Sequence, residues 1–223
     1  MEIVKINLKH PDSRVIKKAG EVLRRGGVIV YPTDTAYALG CDVTNKSAMA
    51  DVFKIKERPL EKALPLIAGS VAMVKKFCKI DKISARLMKK YWPGPLTLVL
   101  SIKYNVSSIL RKNKTIAVRV PDCKIARLLS LKLGRPIVST SANLSGRPSC
   151  YSVACVLRQF KIPLNPPDGH RGDGDSPFGK GSGRRPRDFL ILDAGPLLRQ
   201  KPSTIAKIVG EEVVIIRQGG IKL

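Results

Sequence analysis

Histidine is almost missing from this chain: His10 and His170 are the only two in 223 residues, and aromatic residues amount to just 5%. The first scarcity removes a Ser–His–Asp nucleophile set, because neither histidine lies where it could serve as the base. The second argues against a platform that stacks the bases of single-stranded RNA. The five cysteines, Cys41, Cys78, Cys123, Cys150 and Cys155, include no CxxC pair and have too few histidines around them for a zinc site. A disulfide framework is not expected in a chain of this size, so the cysteines read mostly as small buried hydrophobes. No close pair of carboxylates stands out. No apolar run approaches the roughly 18–20 residues of a membrane span, and MEIVKINLKH lacks the basic-then-apolar pattern of a secretory signal. The expected location is the cytoplasm, with no membrane partner.

What the chain has in excess is positive charge. Lys+Arg number 41 against 17 Asp+Glu, a formal net charge of +24. Such an excess favours polyanions: nucleic acid, nucleotide phosphates or an anionic surface. With 43% hydrophobic residues the chain can also bury a substantial core, and the apolar runs 28–31 (VIVY) and 96–100 (LTLVL) mark where that core begins.

Asp12 or Ser13 can cap a helix with an apolar stripe of Val15, Ala19, Val22 and Leu23, closed by Gly26 and Gly27. VIVY follows as a strand buried on both faces, then the tight PTDT segment. A helix is predicted over 47–57, a strand over 64–68, and helices over about 70–78 and 81–91 before the break at Trp92-Pro93-Gly94-Pro95. Further strands are predicted over 96–102, 115–121, 136–143, 189–194, 203–209 and 213–218, with helices over 124–133 and 151–160. The pattern defines an α/β fold: a single domain over 1–223 with a mixed parallel and antiparallel sheet flanked by helices. Residues 165–188 are dense in Gly and Pro and read as a basic loop insertion. Within them GDSPFGKGS resembles a phosphate-binding loop, but no apolar strand precedes it and no helix can follow it, so it is discounted.

Hydroxyls and cations cluster at the strand ends. Thr33, Asp34 and Thr35 follow VIVY, and Lys56, Arg58 and Lys62 follow the next helix. Thr115, Ala117 and Arg119 share one face of their strand, and Ser139, Ser141 and Asn143 share one face of theirs. Any one of the hydroxyls alone is best read as a turn former. Arg119 is different. Inside the apolar run IAVRVP it costs free energy unless paired, no acid alternates near it, and an anionic ligand would satisfy it.

Six segments taken in order, YPTDTAYALGC, KIKERP, YWPGPLTLVL, TIAVRVP, STSANLSGRPS and PSTI, resemble the YrdC-type threonylcarbamoyl-adenylate synthases of the YrdC/YciO superfamily, over nearly the whole chain. The resemblance implies a twisted mixed sheet around a basic concave cavity. It implies condensation of L-threonine, bicarbonate and ATP, with Mg2+, into threonylcarbamoyl-AMP and pyrophosphate, to supply the threonylcarbamoyladenosine modification of tRNA. A downstream threonylcarbamoyl-transferase complex would use the product. By the same resemblance Lys56, Arg58, Lys62, Thr115, Ser141, Asn143, Ser149 and Arg217 bind ATP. Thr33, Thr35, Arg119, Ser139 and Ser203 hold threonine, and catalysis is positioning and charge neutralisation with no covalent nucleophile. Ala36 and Ala38 depart from the Val and Gly usual in the family, and a position 38 requiring positive φ would be crowded by the alanine. A non-catalytic module binding tRNA or double-stranded RNA is the competing reading.

Overall fold

The computed structural model describes residues 1–59, 62–103, 114–162 and 188–223. The expected 165–188 insertion therefore lies, apart from Asp188, outside the described residues. The described chain runs β1 (Glu2–Lys5), α1 (Ser13–Arg24), β2 (Val28–Pro32), β3 (Tyr37–Cys41), α2 (Lys46–Ile55), β4 (Leu66–Ile67), α3 (Val71–Phe77) and α4 (Lys82–Tyr91). It continues through β5 (Leu96–Ser101), β6 (Thr115–Arg119), α5 (Lys124–Leu133), β7 (Ile137–Val138), β8 (Thr140–Ser141), α6 (Val153–Gln159), β9 (Phe189–Asp193), β10 (Thr204–Val209) and β11 (Glu212–Arg217).

Local chemistry sets the helix ends. The Asp12 carboxylate caps α1 by accepting from Arg14 N at 2.8 Å, Asn45 caps α2 through Ala48 N at 2.9 Å, and Gly26, at φ 82, stops α1. The buried stripe of α1 is Ile16, Ala19, Val22 and Leu23, with Ile16 where Val15 was expected.

The strands form two mixed sheets. One has the order β1-β9-β2-β3-β8 and the other β11-β10-β5-β6-β4-β7. Parallel pairing joins β1 to β9, β2 to β9, β5 to β10 and β4 to β6, and antiparallel pairing joins the rest. One hydrophobic cluster draws Val28, Val30 and Leu39 from the first sheet and Leu66, Leu98 and Val118 from the second.

The stretch 136–143, expected as one strand, is two. β7 pairs antiparallel with β4 in one sheet, and after Ser139 the chain leaves it so that β8 pairs with β3 in the other. The sheets are thus joined by a single residue of backbone, Ser139. Gly40 of β3 permits the close approach, since a Cβ there would lie 2.4 Å from the Val138 carbonyl oxygen. Ala38 lies in extended β3, between Tyr31 and Ser141, and is not among the positive-φ residues, so the alanine is not strained there.

Candidate active site

A cavity of about 460 Å3 opens between the two sheets. Its floor is the second sheet. In β5 the alternation sends Leu96, Leu98 and Leu100 into the core beneath and Thr97 and Val99 to the cavity, and β6 does the same with Ala117 and Arg119.

The first wall is the turn after β2. Pro32 ends the strand, and the Thr33 hydroxyl closes the turn by accepting from Thr35 N and Ala36 N, both at 3.2 Å, and donating to Ala36 O at 2.7 Å. This aims Asp34 and Thr35 at Arg119. The Arg119 guanidinium pairs with the Asp34 carboxylate at 2.8 Å and donates to the Thr35 hydroxyl at 3.3 Å, with the two charged side chains only 8% and 13% exposed. The sequence expectation that an anionic ligand would satisfy Arg119, with no acid near it in the chain, is corrected to the extent that a protein carboxylate already pairs with it. Its acid is 85 residues away in the chain, brought in by the turn.

The second wall follows α2. Glu57 N donates to Lys54 O at 3.0 Å and Arg58 N to Phe53 O at 2.9 Å, the bonding pattern of a left-handed helix termination, with Glu57 rather than glycine at φ 49. The reversal separates the two cations of KxR. Arg58 lines the cavity, steadied by the Ala63 carbonyl at 2.9 Å. Lys56 turns inward, 2% exposed, and its ammonium donates to the carbonyls of Ser141 and of Asn143, the latter at 2.7 Å. Burial, and then the neighbouring Arg58 charge, pull the Lys56 ammonium down to about 7.

The third wall comes from the C-terminal strands. Arg217 donates to the Ser203 carbonyl at 2.8 Å and hydroxyl at 3.1 Å, and the Ser203 hydroxyl meets that of Thr97 at 2.8 Å. Burial lowers the Arg217 pKa from its ordinary value, and the Arg119 charge lowers it further. Two arginines that repel each other across a cavity form a site an anion would relieve.

At the rim stand Ser149, Tyr151, Gln200 and Pro202, with the Tyr151 hydroxyl donating to the Gln200 carbonyl at 3.4 Å. Cys150 and Cys155 are joined in a disulfide, Cα–Cα 5.4 Å, while Cys41, Cys78 and Cys123 are free and buried. The reading of the cysteines as mostly small buried hydrophobes, with no disulfide framework expected, is corrected for this pair. Ser152 caps α6 through Cys155 N at 3.3 Å, and the first helical turn swings Cys155 back over Cys150.

Of the thirteen residues singled out from the sequence, the structure brings Thr33, Thr35, Arg58, Arg119, Ser139, Ser141, Ser149, Ser203 and Arg217 to the cavity wall. Four lie elsewhere. Lys56 and Asn143 hold the turn after β8, the Asn143 amide donating to the carbonyls of Leu144 at 2.8 Å and Arg147 at 2.6 Å. Lys62 is exposed and meets Arg58 only through its carbonyl. Thr115, opposite Ser101, occupies the far end of β6 from Arg119. Sequence reading assigned no role to Asp34 or Thr97. A polar Thr97 in the run LTLVL was the available signal for the second.

The lining carries three arginines, six hydroxyl-bearing Ser and Thr positions besides Thr97 and Thr140, and no carboxylate. Among the described residues no cluster of three or more His, Cys, Asp or Glu could hold a metal ion. Such a surface binds anions and orients polar groups, and it offers no acid–base pair.

The class is thus a mixed two-sheet α/β domain with a cavity lined by Arg58, Arg119 and Arg217 between its sheets. The Sua5/YciO/YrdC family model, described as "Telomere recombination", matches residues 21–165. The chain is 39% identical over 149 residues to a threonylcarbamoyl-AMP synthase of Vibrio cholerae, covering 65% of this chain and 79% of that one. It is 32% identical over 216 residues to the uncharacterised protein YciO of Escherichia coli K12, covering 96% and 93%. Among solved structures, Sua5 of P. abyssi complexed with L-threonine superposes with a TM-score of 0.80 at 28% identity, covering 98% of this chain and 57% of that one. The crystal structure of E. coli YciO superposes with a TM-score of 0.78 at 31% identity, covering 97% and 95%. The chain belongs to the Sua5/YciO/YrdC family.

Proposed function

We propose that this protein is a threonylcarbamoyl-AMP synthase, condensing L-threonine, bicarbonate and ATP into threonylcarbamoyl-AMP and pyrophosphate. The observation that carries the reading is the convergence of Arg58, Arg119 and Arg217 with a row of hydroxyls on one carboxylate-free cavity. Its volume, about 460 Å3, falls in the range of sites that enclose a nucleotide-sized ligand.

The roles follow from position. Arg119, anchored by Asp34, presents its remaining donors to the threonine carboxylate, with Thr33, Thr35, Ser139 and Ser203 around the rest of the amino acid. Arg58 and Arg217 face the phosphates, with Ser141 and Ser149 beside the nucleotide. Lys56 and Asn143 act through the turn they fix, and Lys62 and Thr115 contribute no contact. The threonine amine attacks the carbon of bicarbonate and water leaves, giving a carbamate. A carbamate oxygen then attacks the α-phosphorus, the bond to the β-phosphate oxygen breaks, and pyrophosphate departs onto the arginines. The chain supplies orientation and charge, with no covalent intermediate. With no carboxylate on the wall, the residues present do not fit a resident magnesium site, and the ion enters with the nucleotide, held by phosphates and water. The product is destined for tRNA through a separate transferase, and the reaction belongs in the cytoplasm.

The test is pyrophosphate release from ATP, with L-threonine and bicarbonate omitted one at a time. Release requiring both, and falling at least about a hundredfold in Arg58→Ala, supports the reading. ATP binding without threonine-dependent release overturns it.

A further inference from the structure

We propose that β11 is the pairing edge of a two-fold dimer, in which a second copy of this chain continues the second sheet antiparallel across its open side. Among the described residues the sheets have four outermost strands: β1 and β8 in the first, β11 and β7 in the second. An open edge invites pairing, and it is ordinarily blunted by shortness or by charge. β7 and β8 have two residues each, and β1 has four, with Glu2 and Lys5 at its ends. β11 has six, and its middle is Val213, Val214, Ile215 and Ile216.

These four side chains have no interior to fill. Each is between 36% and 57% exposed, and none belongs to either hydrophobic core cluster. The register against β10 sets Val213 beside Ile208 and Ile215 beside Ala206, on the face turned away from the cavity, and Val214 beside Lys207 on the other. An irregularity in that register brings Ile216 with Arg217 to the cavity side. One apolar face is enough to hold a strand to a core. A strand that is apolar on both faces and buried on neither has the composition of one covered on assembly.

The charges of the strand choose the occupant. Two acids, Glu211 and Glu212, stand at its start and a base, Arg217, at its end, all three exposed. A two-fold axis perpendicular to the sheet runs the second strand in the opposite direction. Each acidic start then meets a basic end, and the β-branched runs lie side by side with like faces aligned. Parallel addition would set acids against acids. A second copy supplies the complement with no further component, and because the pairing occupies the β11 edge of both chains, the assembly closes at two.

The test is sedimentation equilibrium of the full chain without nucleotide or amino acid, so its outcome stands apart from that of the synthase reading. At about 0.15 M salt the repulsion between two chains of charge +24 is screened beyond about 8 Å. The expected mass is that of two chains, and amide hydrogen exchange over 213–216 is expected to slow as concentration rises through the dissociation constant. Val213→Lys/Ile215→Lys, on the face away from the cavity, is expected to raise that constant at least about tenfold. Leu8→Lys/Leu131→Lys, which adds the same charge at two other exposed apolar side chains, is expected to leave it within about twofold. A single-chain mass at about 100 μM would overturn the proposal, as would a mass that keeps growing beyond two chains. Equal weakening by both variants, or a dimer with unchanged exchange over 213–216, would put the contact elsewhere and overturn it too. Should the lysine variant lose its fold, as read by its thermal midpoint, Val213→Thr/Ile215→Thr keeps the β-branched shape and carries the same comparison.

Discussion

Asp34 and Arg119 meet at 2.8 Å behind the cavity lining, which only Arg119 joins, one from the turn after β2 in the first sheet and the other from the second strand of an antiparallel pair in the second. The contact both fixes the guanidinium and ties the wall to the floor. Asp34→Asn leaves Arg119 nearly buried without its counter-charge, so a loss of about 3 kcal/mol is expected in urea unfolding. The KM for threonine should rise more than kcat falls. A loss below about 1 kcal/mol would mean that the pair behaves like a surface ion pair.

Lys56 makes stability depend on pH in a defined direction. Unfolded, it keeps its proton up to the ordinary 10.5, and folded, only to about 7. Between those values the unfolded chain binds more protons, so this residue's contribution to stability rises as pH increases through that window, and its burial cost is complete below it. The thermal midpoint of the protein minus that of Lys56→Met should therefore climb from pH 7 to pH 10. A flat difference would place the folded ammonium near its ordinary value.

Glu57 holds a left-handed conformation that glycine adopts without penalty. Glu57→Gly is expected to stabilise the chain by about 1 kcal/mol and to leave pyrophosphate release intact, since the backbone already occupies the conformation. Thermal unfolding beside a full activity assay checks both parts.

The Cys150–Cys155 bridge closes a short loop between the cavity residues Ser149 and Tyr151 and helix α6. A loop of that length should contribute about 2 kcal/mol. Incubation with a dithiol, or Cys155→Ser, is expected to lower the thermal midpoint of the protein, and dithiol is expected to have no effect on the variant.

Elements with strong local signals were legible in the sequence. The stripe and caps of α1, the continuous apolar run of β2, and α5 with its Gly134 stop at φ 81 all follow from periodicity and end chemistry. β3 was missed because YALGC is fully buried, has no alternation and contains a glycine. β1 was missed because four residues at a sheet edge carry little pattern. The split of β7 from β8 was hidden, since the alternation of PIVSTSAN continues while the chain changes sheets. For the site, residue types and strand ends were readable, but which way a side chain turns was not. Lys56 and Arg58 are two apart, and the positive φ between them, unusual for glutamate, sends them to different places. The Asp34 partner of Arg119 depends on a turn and a register that no local window contains.

The one-residue passage from β7 to β8 has a thermodynamic corollary. Ser139 and Ser141 face the cavity from the very segment that stitches the sheets together, so the sheets cannot part like jaws without breaking hydrogen-bonded pairing on both sides. On the proposed function, the substrates meet walls already joined to one another, and little of their binding free energy is diverted into reshaping the host.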